Sequence, residues 1–187
     1  MDLDELDLSG MEGTGNPVYV LVTSDTHTEN KNEVHGLFDG LVDEVDLIVH
    51  AGDFTDIAVL NYFDEPGFRG VYGNSDPPEL SEKLDRRVCF EVSGIRFLVL
   101  HGHRIGSNQE LGYLAAQENA DVLIRGHSHR PRAVERNALL INPGSPTRPR
   151  GGYPPSFAVL EVPENPSGYV DLSGGIYRLD GEPITPI

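Results

Sequence analysis

Five short apolar runs along this chain each give out into a cluster of Asp, Asn and His. "VYVLVT" (residues 18–23) runs into "SDTH", with Asp25 and His27, and "DLIVHAG" (46–52) ends at Asp53. "RGVYG" (69–73) is followed by "NSD", with Asn74 and Asp76; "IRFLVL" (95–100) gives "HGH", with His101 and His103; "DVLI" (121–124) gives "RGHSH", with His127 and His129. Short runs rich in Val, Ile and Leu read as buried strands. Segments of helical length near 31–44 and 56–63 separate the first three, and this βαβαβ alternation predicts a mostly parallel sheet. In open α/β sheets ligands collect at the carboxyl ends of strands, so the five clusters are expected to converge on one site.

The remaining segments complete the layout. "VCFEV" and "IRFLVLH" flank Ser93-Gly94, which suits a tight hairpin turn. A helix near 108–119 leads to "DVLIRGH". Beyond it, "RAVE", "ALLIN", "FAVLEV", "YVDL" and "GIYRL" read as short strands of antiparallel sheet, divided by Pro and Gly. The expected fold class is α/β: two facing mixed β-sheets flanked by helices, a four-layer α/β/β/α sandwich. Residues 1–16, acidic and then glycine-rich, read as a flexible leader, and 17–187 as a single domain, long enough for a sizeable core.

Composition narrows the classes. No apolar run approaches the about 20 residues of a membrane span, and the N-terminus lacks a basic-then-apolar signal pattern, so a cytoplasmic protein without membrane partners is expected. The lone cysteine, Cys89, excludes an internal disulfide and reads as a small core residue. The net charge of −16, with only Lys31 and Lys83 as lysines among 14 basic residues, resembles the surfaces of proteins from salt-loving archaea and disfavours nucleic acid as a partner.

Taken in order, "DTH", "GD", "GNSD", "HGH" and "GHSH" resemble the calcineurin-like metallophosphoesterase superfamily, especially its small single-domain phosphodiesterases; "NPGS" (142–145) matches the same branch. The resemblance implies two divalent metal ions. One is held by Asp25, His27, Asp53 and His129, and the other by Asp53, Asn74, His101 and His127, with Asp53 as the bridge. Carboxylate, imidazole and amide oxygen form a borderline-hard set suited to Mn²⁺ first, with Fe, Co²⁺, Ni²⁺ or Zn²⁺ compatible. The implied reaction is hydrolysis of a small phosphate ester by a metal-bridging hydroxide, with Asp53, Asn74 and His101 in the catalytic set and no protein nucleophile.

One departure matters. Some branches place a histidine after the metal-binding asparagine to protonate the leaving group; this chain has Ser75, leaving Asp76 as candidate acid or turn cap. His103 reads as a neighbour of the ligands and His50 as a hydrogen-bonded core or near-site residue. From Val122 to Arg150 six arginines stand against one acid, Glu135, a local +5 that either clamps substrate phosphate, with Arg148, alongside Asn74, a candidate substrate contact, or pairs with acidic neighbours. Two other functions compete: a protein-binding scaffold similar to the family's retromer subunit, and a nuclease. The convergent ligand set argues against the first and the short acidic chain against the second. Homo-oligomer formation is left open.

The charge balance carries a prediction. Screening of carboxylate repulsion should raise the melting temperature steadily between low and molar salt, because the Debye length contracts from about 10 Å at 0.1 M to about 3 Å at 1 M. A melting temperature indifferent to salt removes the salt-loving reading.

Overall fold

The computed structural model describes residues 16–28, 30–38, 40–63 and 67–187. Most of the predicted leader, residues 1–15, lies outside them. Among the described residues, eleven strands form two sheets. The first has the order β11-β10-β9-β1-β2-β3, where β1 is Val18–Thr23, β2 Leu47–His50, β3 Phe68–Gly70, β9 Ser156–Val162, β10 Ser173–Arg178 and β11 Pro183–Pro186. The second runs β4-β5-β6-β8-β7, with β4 Arg87–Val92, β5 Ile95–Leu100, β6 Val122–Arg125, β7 Arg132–Glu135 and β8 Leu139–Asn142.

The apolar runs are continuous because both faces of the central strands are buried. On β1, Val20 and Val22 face the second sheet while Leu21 faces outward among Phe38, Phe63 and Phe157. On β5 and β6, Phe97, Val99, Val122 and Ile124 face the first sheet, and Leu98 and Leu123 pack under the outer helix. That helix, α5 (Asn108–Gln117), starts from a capping box between Ser107 and Glu110. The other face is covered by α1 (Lys31–Phe38), α2 (Leu41–Glu44), α3 (Ile57–Phe63) and α4 (Pro78–Lys83). The four layers are those expected.

Several details differ from the sequence reading. The helix near 31–44 is two helices, because Gly40 at φ 90° interrupts it. Helix α4 was not expected; Pro77 and Pro78 start it, since proline is tolerated in a first helical turn. "YVDL" forms a 3-10 turn at Tyr169–Asp171 instead of a strand, and β11 was not expected. The second half is not simply antiparallel: β5, β6 and β8 are mutually parallel, with β4 and β7 antiparallel at the edges, while β9 returns antiparallel to β1 in the first sheet. Cys89 is exposed, not in the core: β4 is an edge strand whose Val88, Phe90 and Val92 turn inward. Ser93 and Gly94, both at positive φ, form the expected tight hairpin.

Phe157 is fully buried on β9, edge-to-face with Phe38 and close to Tyr177, so it joins the α1 layer to the sheet. Phe157→Ala should cost about 3–5 kcal/mol in chemical denaturation. A loss below about 1 kcal/mol would mean that this layer is not packed as described.

Candidate metal centre

The five polar clusters meet where the strands of both sheets end, and backbone hydrogen bonds splice their loops together. The Asp25 amide donates to the Gly52 carbonyl (2.9 Å), the His27 amide to the Asp53 carbonyl (3.1 Å), and the Gly126 amide to the His101 carbonyl (3.2 Å). Contact between the two sheets is close enough at Gly126 that a Cβ there would lie 1.8 Å from Ser24 Oγ and 2.7 Å from Asp25 Oδ2. Glycine is required by that approach.

Asp25, His27, Asp53 and His129 form a tight group, with one potential ligand atom from each lying within 4.8 Å of all the others. His129 Nε2 is 3.2 Å from Asp25 Oδ1; His27 Nε2 and His101 Nε2 are each 3.3 Å from Asp53 Oδ2. His127 lies beside His101, with ring centroids 5.2 Å apart. Asn74 is exposed on the neighbouring loop and its amide donates to Ser75 Oγ at 3.3 Å. Of the seven residues singled out for metal, two carboxylates and four imidazoles therefore gather together, and the seventh, Asn74, lies exposed on the neighbouring loop.

The proton positions in this group follow from geometry. His101 Nδ1 is 2.7 Å from the Ala51 carbonyl and His129 Nδ1 is 2.6 Å from the Arg148 carbonyl. A carbonyl only accepts, so each Nδ1 carries a proton and donates it, which leaves Nε2 of each neutral ring as a lone pair aimed at a carboxylate. His101 Nε2 and His27 Nε2 are buried and have no hydrogen-bond partner among the described residues. Buried polar atoms are ordinarily partnered, and a divalent cation between the imidazoles and carboxylates is the group that would satisfy them. The residues present fit a metal.

The electrostatics agree. Burial pushes the Asp25 carboxyl up to about 6, a cost that a neighbouring cation offsets. Burial pushes Asp53 the same way, but attraction to the His101 and His27 rings in their protonated forms outweighs it and holds Asp53 well below the usual carboxylate range; against its own burial, His101 is raised by the same attraction, so a bound cation would take the place of the proton on Nε2. Burial brings His129 down to about 4, so its ring is neutral and ligand-competent at neutral pH. His127 is lowered as well, first by burial and then by the nearby His101.

Supporting side chains surround the group. Ser24 Oγ and the His127 amide donate to Asp25 Oδ2 at 2.7 and 2.9 Å. The Ser75 amide and hydroxyl donate to Asp53 at 2.7 and 2.9 Å. Asp76 accepts from the amides of Asp53 (3.0 Å), Thr55 (2.7 Å) and Gly73 (2.7 Å), so it braces the loop that presents Asp53. His50 is fully buried against Phe54; its Nδ1 accepts from the Gly52 amide (3.2 Å), so its Nε2 donates to Thr26 Oγ1 (3.2 Å). It thereby links the "DTH" loop to the "GD" loop. "NPGS" also braces: Asn142 Nδ2 donates to the Gly126 carbonyl (2.8 Å), and Ser145 Oγ to the Asp25 carbonyl (2.7 Å). Thr26 was missed by the sequence reading because a buried Thr between two candidate ligands carries no signal of its own. His103 packs beside His101 at 5.6 Å between centroids. The exposed Arg148 lines a cleft of about 580 Å³ together with His27, Thr28, Glu33, Thr55 and Thr147.

A family model for the calcineurin-like phosphoesterase superfamily domain matches residues 18–165. The chain belongs to that superfamily. It is 38% identical over 147 residues to a probable metallophosphoesterase of Methanothermobacter thermautotrophicus, covering 75% of this chain and 84% of the relative. It is 29% identical over 140 residues to a phosphodiesterase of Methanocaldococcus jannaschii, covering 66% of this chain and 81% of the relative. The fold matches the structure of vacuolar protein sorting 29 from Cryptosporidium parvum with a TM-score of 0.74 at 19% identity, over 92% of this chain and 99% of that one. Membership in this superfamily accords with the metal-compatible group at the strand ends. Among the described residues no helix is long and apolar enough to cross a membrane.

The contact at Gly126 makes a test. Gly126→Ala should cost about 1–3 kcal/mol through overpacking and lower metal content at the same time, because the displaced atoms belong to Ser24 and Asp25. Unchanged metal content by elemental analysis, with the protein folded, would show that the close approach does not set the site.

Proposed function

We propose that the protein is a metal-dependent phosphoesterase that prefers phosphodiesters with good leaving groups. The observation that carries this reading is the pair of imidazoles, His101 and His129, locked by backbone carbonyls so that Nε2 faces Asp53 and Asp25. The names of the relatives, a probable metallophosphoesterase and a phosphodiesterase, support it.

In this reading Asp25, His27, Asp53 and His129 hold one divalent cation, and Asp53, Asn74, His101 and His127 hold a second, with Mn²⁺ first in preference. When bound, such a pair lowers the pKa of a coordinated water and stabilises charge on the phosphoryl oxygens. The chain's own residues do the remaining work. Asp53, braced by Ser75 and Asp76, keeps both ion positions in register. Arg148, at the mouth of the cleft, orients the substrate phosphate through its guanidinium. Ser75 directs its hydroxyl proton to Asp53, and Asp76 is engaged with three amides, so neither is placed to protonate a leaving group. A reaction without a general acid favours leaving groups that depart as anions. The fold likeness to vacuolar protein sorting 29 leaves a protein-binding role as the lesser reading, because a scaffold has no chemical need for buried Nε2 lone pairs.

The deciding experiment combines metal analysis with turnover of bis(4-nitrophenyl) phosphate and an alkyl phosphate monoester. Two metals per chain and faster cleavage of the aryl diester are expected. Asp53→Asn should lose metal from both positions, while His129→Ala and His127→Ala each weaken one, and all three should lose most activity while remaining folded. Two metals and near-normal turnover in Asp53→Asn would refute the bridge; metal without hydrolysis of either ester would leave the scaffold.

A further inference from the structure

The arginine-rich segment from Val122 to Arg150 is not absorbed by the metal centre. Arg125 ends β6 two residues after Leu123, on the strand face that packs toward α5, and Arg132 opens β7 in register with Asn142 of β8. Together with Arg130 they line a cavity of about 610 Å³ whose wall includes Ser128, Asn142 and Tyr153. His127 and His129, on the same turn, do not line it. The cavity is therefore lined by residues of the Gly126–Arg130 turn other than the two histidines of the metal centre.

Pairing with acidic neighbours is the ordinary fate of arginines in a chain with 30 Asp and Glu. Here, among the described residues, none of the three guanidiniums takes part in an ion pair. Arg130 and Arg132 are exposed and Arg125 half-buried, so solvent partly screens their mutual repulsion, and an anion seated between them would be attracted by all three. The planar, multiply donating guanidinium matches the tetrahedral oxygens of phosphate.

We propose that this cavity is a second anion site, separate from the metal centre, which binds a phosphate-class oxyanion between Arg125, Arg130 and Arg132. Its occupant is either free orthophosphate or the phosphate group of a larger molecule. Bound there, the anion neutralises the cluster and stiffens, through Ser128, the turn that carries His127 and His129. The site stands whether or not the metal centre hydrolyses phosphate esters.

The test uses the full, metal-loaded chain. Melting temperature is measured in orthophosphate, methylphosphonate or phenylphosphonate against chloride at matched ionic strength, so that general screening of the −16 charge cancels. The wild type should show a phosphate-specific rise that falls in Arg132→Gln and in Arg130→Gln and, in the double variant, drops to the part contributed by phosphate at the metal centre. In chloride alone, Arg132→Gln should melt at the same temperature or higher, because it relieves repulsion with Arg125; an arginine with a merely structural role would melt lower. Calorimetry should count one phosphate fewer per chain in the double variant, with inhibition of aryl-ester hydrolysis by phosphate unchanged. Tighter binding of orthophosphate than of the phosphonates identifies free phosphate as the ligand, and the reverse identifies a larger molecule. The proposal is overturned if phosphate and chloride act alike at equal ionic strength, or if the double variant keeps the full phosphate response of the wild type.

Discussion

Asp25 accepting a hydrogen bond from the His127 amide is the interaction on which the rest of this structure turns. The two residues are 102 positions apart and follow strands of different sheets, so one buried carboxylate fastens the loop after β1 to the loop after β6. The attachment has a cost. Burial pushes Asp25 up to about 6, and the Ser24 hydroxyl and His127 amide only partly compensate the ionised form. A cation held by the same carboxylate removes the remaining penalty, so the residue that closes the sandwich is also the one that most needs a metal. Fold and site share this atom group, which ties stability to metal binding.

The backbone shows a similar economy. Asp25, His27, Asp53, His127 and His129 all lie at positive φ, between 36° and 68°, a region where a residue with a Cβ costs about 1–2 kcal/mol. Such conformations persist only where the surroundings over-determine them. Here the surroundings are visible: Asp76 on the amides of Asp53 and Thr55, Ser145 on the Asp25 carbonyl, and His50 joining Thr26 to Gly52. The turns that present the ligands are held by side chains that touch no ligand position of their own.

This division explains what could be read from the sequence. The strands were legible because both faces of β1, β5 and β6 are buried, which turns alternation into unbroken apolar runs, and the ligand residues were legible because each run ends in them. The four-layer class followed from the same pattern. Sheet membership was not legible: "FAVLEV" looks like another strand of the second half, yet β9 pairs with β1, and nothing local distinguishes an edge of one sheet from the centre of another. Cys89 was misread because a strand exposed on one face shows the same short apolar run as a core strand. The bracing roles of Asp76, Thr26 and His50 depend on contacts between loops more than twenty residues apart, such as His50 to Thr26, and those contacts exist only once the sheets have formed.

The acidity of the chain and the attraction that a metal-loaded centre would exert on an oxyanion are compatible because they act over different ranges. Surface carboxylates repel an incoming phosphate through solvent, and at about 1 M salt that repulsion decays within roughly 3 Å. Imidazoles, guanidiniums and a bound cation act at contact, inside loops that exclude much of the solvent, where screening is weak. Salt therefore subtracts the long-range term and leaves the short-range one. A chain carrying −16 can stay soluble and mutually repulsive toward its own copies while its strand ends remain attractive to an oxyanion. The separation requires that the basic residues be concentrated and the acidic ones dispersed, and the six arginines against one acid between Val122 and Arg150, in a chain with 14 basic residues in all, meet that requirement.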